Sequence, residues 1–247
     1  MTKIIAHRGM SKVYPENTMI SFEAAYVAGA DGIEFDVQMT KDGELVVIHD
    51  EMLDRTTNVT GWIMDYTFEE MKMIDASYKF SAFKGQCPIP TLDEVFKWVK
   101  GKSRPFIFNI ELKNSVVTYP GIGEKIARLI KKYHWTPYTV LSSFNHYSLV
   151  ELKKTFPDIE MAILYNEWLY EPWKYCTNIG VEGLHPHYKS LQREDIVNQA
   201  KKNGVPVRPY TVNKENELKR LMKLGVDAII TDDVEKAYRI RKELVDS

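Results

Sequence analysis

The feature that most constrains this chain is a regular alternation of short β-like apolar runs with amphipathic helical segments, sustained from the first residues to the last. The runs fall at residues 3–6, 32–39, 105–113, 139–142, 159–164, 181–185, 205–210 and 227–231; helical segments between them include 18–28, 91–99, 123–133, 147–155, 193–203, 215–224 and 234–245. Strand followed by helix, repeated, is the pattern of a parallel sheet covered by helices. Eight such units in 247 residues suit an α/β chain closed as a TIM (β/α)8 barrel better than an open doubly wound sheet. No Gly-rich dinucleotide or phosphate loop follows the first run, which weighs further against the open sheet. Thr91-Leu92-Asp93-Glu94 reads as a capping box, and Asn203-Gly204 and Leu224-Gly225 read as helix ends.

One region breaks the rhythm. After the second run comes a tight turn, Lys41-Asp42-Gly43, and another apolar run at 45–48, which reads as a hairpin. Residues of about 51–88 then form a small insertion, with one short helix opened by Thr67-Phe68-Glu69-Glu70. Insertions in βα loops lie over the catalytic face of a barrel, so this one is expected to wall the site. With no low-complexity tract or Ser/Pro-rich linker, residues 1–247 are expected to form a single domain.

Charge excludes some partners. Lys plus Arg number 33 and Asp plus Glu 34, so the chain lacks the broad positive field that nucleic acid or an anionic membrane surface needs. No apolar stretch approaches a membrane span, and the start, Met-Thr-Lys-Ile-Ile-Ala-His-Arg, turns charged before a signal-peptide core can form. A cytoplasmic protein is expected, with no nucleic-acid partner and no stable membrane association; the oligomeric state is left open. Cys87 and Cys176 stand outside any metal or disulfide spacing and are expected as small buried apolar residues.

Within residues 32–39, a period of two puts Ile33, Phe35, Val37 and Met39 on one face and Gly32, Glu34, Asp36 and Gln38 on the other. The apolar face must meet the helices, so Glu34 and Asp36 point into the barrel. The run at 105–113 repeats this, with Phe106, Phe108, Ile110 and Leu112 outward and Asn109, Glu111 and Lys113 inward. Carboxylates a few ångströms apart repel by roughly 1–4 kcal/mol per pair at effective dielectrics of about 80 to 20. Two compensations are open: ion pairs of Glu34 with Arg8 and Glu111 with Lys113, or a metal ion. Buried pairs seldom improve on apolar packing. An all-oxygen set of Glu34, Asp36 and Glu111 suits one divalent cation, Mg²⁺ or Ca²⁺, rather than zinc.

His7 and His49 each end an apolar run and belong at the same rim. A histidine there often only bridges backbone groups, but two beside a carboxylate cluster are suited to proton transfer. Arg8 and Lys113 are cationic donors suited to a phosphate. Glu16 and Asn17 of Pro15-Glu16-Asn17-Thr18, and Asp50 after His49, are expected to support these groups, the alternative for the former being a plain helix-entry turn. Tyr210, Phe144 and Trp168 are expected as an apolar wall for substrate, with rim packing as the alternative; His185 and His187 also follow a run near the mouth.

These residues, in order, resemble the glycerophosphodiester phosphodiesterases. The resemblance rests on His7-Arg8-Gly9, Pro15-Glu16-Asn17-Thr18, Gly29-Ala30-Asp31-Gly32-Ile33-Glu34-Phe35-Asp36-Val37, Thr40-Lys41-Asp42-Gly43 and Val47-Ile48-His49-Asp50. It continues through Asp54-Arg55-Thr56-Thr57, Glu111-Leu112-Lys113, Ser142-Ser143-Phe144, Thr211-Val212-Asn213 and Gly225-Val226-Asp227-Ala228-Ile229-Ile230-Thr231-Asp232. Each fragment is weak alone, while their order and spacing are highly specific. The family commonly carries Trp where this chain has Tyr210, which bears on pocket shape. The resemblance implies a TIM barrel, a divalent metal on Glu34, Asp36 and Glu111, acid/base histidines at His7 and His49, and phosphate contacts from Arg8 and Lys113. It implies a small-molecule glycerophosphodiester substrate hydrolysed to sn-glycerol 3-phosphate and an alcohol. Phospholipase D-like cleavage of lysophospholipids, or a barrel that binds a phosphodiester without cleaving it, are the alternatives.

Overall fold

The computed structural model describes residues 1–77 and 79–246. In chain order its elements begin β1 (Lys3–His7), α1 (Met19–Val27), β2 (Gly32–Met39), β3 (Leu45–Val47), α2 (Phe68–Met71), α3 (Leu92–Val99), β4 (Ile107–Leu112) and α4 (Ile122–Lys132). They continue β5 (Thr139–Ser143), α5 (His146–Thr155), β6 (Glu160–Tyr165), α6 (Pro172–Asn178), β7 (Gly183–Pro186), α7 (Glu194–Lys202), α8 (Glu215–Leu224), β8 (Ala228–Thr231) and α9 (Val234–Val245).

The sheet runs β7-β6-β5-β4-β2-β1-β8, every neighbouring pair parallel, with β3 antiparallel on β2 as the predicted hairpin. The run at 205–210, expected as a strand, is a correction: it makes isolated bridges, Leu184 with Val207 and His187 with Tyr210, and no continuous ladder. Pro206 and Pro209 remove two backbone donors from it. Even so, Arg208 N donates to Leu184 O at 2.9 Å and Tyr210 N to Pro186 O at 3.0 Å, while Ile230 N donates to Pro209 O at 3.0 Å. The segment therefore links β7 to β8 and completes a ring of main-chain hydrogen bonds.

Period-two patterning sorts the two faces of the sheet. Ile33, Phe35, Val37, Phe108, Ile110 and Leu112 are buried in the main apolar cluster with the helices. Phe108 sits between Phe35 and Phe96, with ring centroids 6.2 and 5.1 Å away. The predicted helix starts are real: Thr91 with Glu94 and Thr67 with Glu70 form capping boxes, and Gly225 ends α8 in the left-handed region. The helix α6 had no counterpart in the sequence reading; its start is set by Pro172 at the first helical position.

Among the described residues of 51–88 there are three short 3-10 turns and α2. Ile48, Leu53, Ile63 and Met71 belong to an apolar cluster separate from the main one. Both cysteines are buried and unpaired, as expected. No helix among the described residues is long and apolar enough to cross a membrane.

Candidate active site

The inward-facing carboxylates meet. In the β2–β4 register Asp36 lies opposite Glu111 and Glu34 opposite Asn109, and one oxygen each of Glu34, Asp36 and Glu111 lies within 4.8 Å of the others. Burial pushes the Glu34 carboxyl well above its usual range, helped by repulsion from Asp36 and Glu111. Burial and Asp36 likewise raise Glu111. Burial also works against an ionised Asp36, but Arg8, His49 and Lys113 together with a hydrogen bond from Asn17 hold it below its usual range.

Arg8 and Lys113 close on this cluster from two sides. Arg8 donates its backbone N–H to Glu34 Oε2 at 3.0 Å, and its Nε lies 3.4 Å from Asp36 Oδ2. Its backbone turns into the left-handed region (φ 55°), followed by Gly9 (φ 79°). A Cβ on Gly9 would stand 2.2 Å from Ser21 Oγ, so the turn that aims Arg8 admits no side chain at the next position. Lys113 Nζ donates to Glu111 Oε1 at 3.0 Å, lies 4.0 Å from Asp36 Oδ1 and is 3.2 Å from His49 Nε2.

Each histidine is backed by a carboxylate. His7 Nδ1 is 2.6 Å from Asp232 Oδ1, and His49 Nδ1 is 2.5 Å from Asp50 Oδ1. With a carboxylate at Nδ1 each ring carries its proton there, leaving Nε2 facing the cluster. His7 Nε2 is 3.9 Å from Glu34 Oε2, while His49 Nε2 is on the Lys113 side, so the two rings flank the triad. Asp50 and Asp232 are both held near 2 against burial, by Arg55 and His49 in the first case and by His7, Asn213 and Ser11 in the second.

Asn17 and Glu16 both contact this cluster. Asn17 Nδ2 donates to Asp36 Oδ2 at 2.9 Å, and Glu16 accepts from Arg8 Nη1 at 2.8 Å. Thr18 caps α1, so this stretch is both helix entry and scaffold. Gln38, the next inward residue of β2, donates to His49 O and accepts from Tyr119 Oη, each at 2.8 Å.

Three residues reach the site without a role assigned from sequence. Asp232 comes from the end of β8 and Asn213, which donates to it, from just after the 205–210 segment, while Arg55 comes from the 51–88 segment and bonds both Asp50 and Glu16. Asp232 carried a readable signal, a carboxylate directly after a strand, where barrel chemistry concentrates.

The aromatic residues divide. Phe144 and Tyr210 pack edge to face at 6.2 Å, and His187 lies 5.9 Å from the Tyr210 ring. Trp168 is 61% exposed and lines a groove with Trp173 and Arg193; no ring contact to Phe144 or Tyr210 occurs among the described residues. His185 is buried beside Arg208, whose Nη1 is 3.3 Å from His185 Nε2; burial and that cation push the imidazole well below its ordinary value, leaving it neutral. A cavity of about 1010 Å³ opens at the amino ends of the strands near Lys3, Asp31, Pro105 and Asp227. It contains none of the three carboxylates, which lie toward the opposite ends of the strands.

The set fits a hard cation. Six carboxylates (Glu16, Glu34, Asp36, Asp50, Glu111, Asp232) meet three permanent cations (Arg8, Arg55, Lys113). The buried Asp36 Oδ1 accepts no hydrogen bond among the described residues. A buried oxygen with lone pairs unused, within a dense oxygen cluster, matches the ligand chemistry of Mg²⁺ or Ca²⁺.

An oxygen-ligand cluster flanked by two carboxylate-backed imidazoles and two cations, at the carboxyl ends of parallel strands, defines an α/β protein built to handle an anionic ester. Comparison with known proteins narrows this. The model of the glycerophosphoryl diester phosphodiesterase family matches residues 7–236, and the chain belongs to that family. A glycerophosphodiester phosphodiesterase of Caldanaerobacter subterraneus subsp. tengcongensis is 49% identical, over 95% of each chain. One of Bacillus altitudinis is 46% identical over 99% of this chain and all of that one. The structure of an Oleispira antarctica phosphodiesterase in complex with the product sn-glycerol-3-phosphate superimposes with a TM-score of 0.84 at 28% identity, covering 100% of this chain and 98% of that one.

Proposed function

We propose that this chain hydrolyses glycerophosphodiesters to sn-glycerol 3-phosphate and an alcohol, as one (β/α)8-barrel domain whose 51–88 insertion walls the catalytic mouth. The observation that carries this is the convergence of Glu34, Asp36 and Glu111 within 4.8 Å between two carboxylate-backed histidines. The product bound to the Oleispira relative supports the choice of diester.

Glu34, Asp36 and Glu111 are the residues to hold one divalent cation, Mg²⁺ or Ca²⁺. Such an ion supplies positive charge that polarises a phosphate oxygen and acidifies an attacking hydroxyl or water. The chain's own groups do the rest. Arg8 and Lys113 neutralise the phosphoryl oxygens as charge builds in the transition state. Burial disfavours both cations, but neighbouring carboxylates raise both above their ordinary values, so they stay charged through the neutral range. One Nε2, of His7 or His49, takes the proton of the attacking oxygen; the other protonates the departing alkoxide as its P–O bond breaks. Asp232 and Asp50 accept from Nδ1 and so aim each Nε2 at the reacting atoms, empty on the ring that acts as base and carrying the proton to be delivered on the ring that acts as acid. Phe144 and Tyr210 form the wall beside the leaving alcohol, with Trp168 further out. A cytoplasmic location suits a small soluble diester.

The test is release of glycerol 3-phosphate from glycerophosphocholine and glycerophosphoethanolamine with Mg²⁺ or Ca²⁺, beside a lysophospholipid and single-stranded DNA and RNA. Faster turnover of the deacylated diesters supports the reading; preference for the lysophospholipid or a nucleic acid, or binding without cleavage, overturns it.

A further inference from the structure

We propose that Arg55 is a positioning residue that locks the His49 and Arg8 halves of the site together; this rests on the hydrolase reading above. Arg55 ends a short 3-10 turn, Leu53–Arg55, whose Leu53 is fully buried in the apolar cluster of the insertion. The turn is tied at its base: Leu53 N donates to Gly61 O at 2.9 Å, Gly61 N to Asp54 Oδ2 at 3.1 Å, and Thr57 Oγ1 to Leu53 O at 2.8 Å. Gly61 sits at φ 117°, where only glycine is unstrained.

From this mount the guanidinium faces two carboxylates at once. Nε and Nη2 donate to Asp50 Oδ2 and Oδ1 at 2.5 and 3.1 Å, and Nη1 and Nη2 donate to Glu16 Oε2 and Oε1 at 2.8 and 2.7 Å. Each carboxylate passes the constraint inward: Asp50 Oδ1 is the partner of His49 Nδ1, and Glu16 Oε1 accepts from Arg8 Nη1. One planar fork thus sets the orientation of an imidazole and of a second guanidinium that come from different loops. Lysine cannot replace it, because a single ammonium offers no two-sided bidentate geometry. Without Arg55, Arg8 still has Glu16, Asp36 at 3.4 Å and its backbone bond to Glu34, while Asp50 keeps only the ring it is meant to hold still. The consequence falls on alignment of His49 rather than on substrate contact.

The expected result is that Arg55→Ala and Arg55→Lys each lower kcat for glycerophosphocholine by about 100-fold, the scale of an ångström of misplacement, while KM changes less than about threefold. Added guanidinium ion restores activity several-fold in Arg55→Ala and not in Arg55→Lys. A second readout needs no turnover: the downfield Nδ1 proton of His49 in the NMR spectrum, identified by its loss in His49→Gln, broadens or vanishes in Arg55→Ala. Wild type that cleaves no glycerophosphodiester refutes the hydrolase reading, and the His49 proton then decides the positioning role by itself. A kcat within about threefold of wild type in Arg55→Lys, a folded Arg55→Ala that guanidinium does not rescue, or an unchanged His49 proton overturns the proposal.

Discussion

Replacing Asp232 by Asn tests whether His7 works through the carboxylate behind it. Asp232 Oδ1 accepts from His7 Nδ1 at 2.6 Å and from Ser11 Oγ at 3.0 Å, while Oδ2 accepts from Asn213 Nδ2 at 2.5 Å. Asn at 232 keeps the shape but turns one acceptor into a donor. If its amide nitrogen faces His7, it donates to Nδ1 and drives the ring proton to Nε2, so Nδ1 loses the acceptor that supports the doubly protonated ring through which either an acid or a base must pass. If instead it faces Asn213, two NH₂ groups oppose each other. Loss of one positioned acid or base is worth about 10²- to 10⁴-fold in rate, or roughly 3–5 kcal/mol of transition-state free energy. Stability adds an independent check. Asp232 is held at about 2 against an ordinary 3.8, mainly by His7 and Asn213 acting against burial. A depressed carboxylate stabilises the fold above the unfolded-state value and loses that contribution as pH falls through the folded one. Asp232→Asn should therefore cost about 2 kcal/mol at neutral pH, with the difference from wild type fading between roughly pH 4 and 2. The assays are kcat/KM on glycerophosphocholine at saturating Mg²⁺ or Ca²⁺ and denaturant unfolding at several pH values. A variant within about fivefold of wild-type kcat/KM would refute the reasoning.

Three further outcomes follow from the same contacts. Because burial and carboxylate repulsion keep the Glu34 proton bound well above the usual range, Mg²⁺ or Ca²⁺ binding should release a proton and tighten as pH rises; calorimetry in buffers of different ionisation heat measures it, and tight binding without release contradicts it. Phe108→Ala empties the contact between Phe35 and Phe96 and should cost about 3–5 kcal/mol by chemical denaturation; a loss below about 1 kcal/mol would deny that this layer carries the fold. Arg8→Lys keeps the charge but loses the fork that bonds Glu16, so KM for the diester should rise about tenfold or more, roughly 1.4 kcal/mol; an unchanged KM argues against a phosphate contact at this position.

What could be read in the sequence was what depends on short-range periodicity. The alternation in residues 32–39 assigned Ile33, Phe35 and Val37 to the helices and Glu34 and Asp36 to the interior, and the structure places them so. The boundaries of β2, α8 and α9 also match. The run at 205–210 kept its place between β7 and β8 but not its ladder, because Pro206 and Pro209 cannot donate. The helix α6 went unread because Trp173, Tyr175 and Cys176 give weak helical periodicity and little propensity. Asp232 could be placed at a strand end from its local sequence, but its partner could not, and neither could those of Arg55. The His7–Asp232 contact spans 225 positions and the Arg55–Glu16 contact 39; both are made by the folding of the sheet and of the 51–88 segment, and no local spacing encodes the pairings.

The central claim is that Glu34, Asp36 and Glu111 form one cation site serving hydrolysis of a glycerophosphodiester, and release of glycerol 3-phosphate from glycerophosphocholine tests it most directly. Wild type should release the product with Mg²⁺ or Ca²⁺, stop with EDTA and recover on adding the metal back, while folded Glu34→Gln and Glu111→Gln stay at least about 100-fold slower at every metal concentration. Full activity in EDTA, or in both Gln variants, would contradict it.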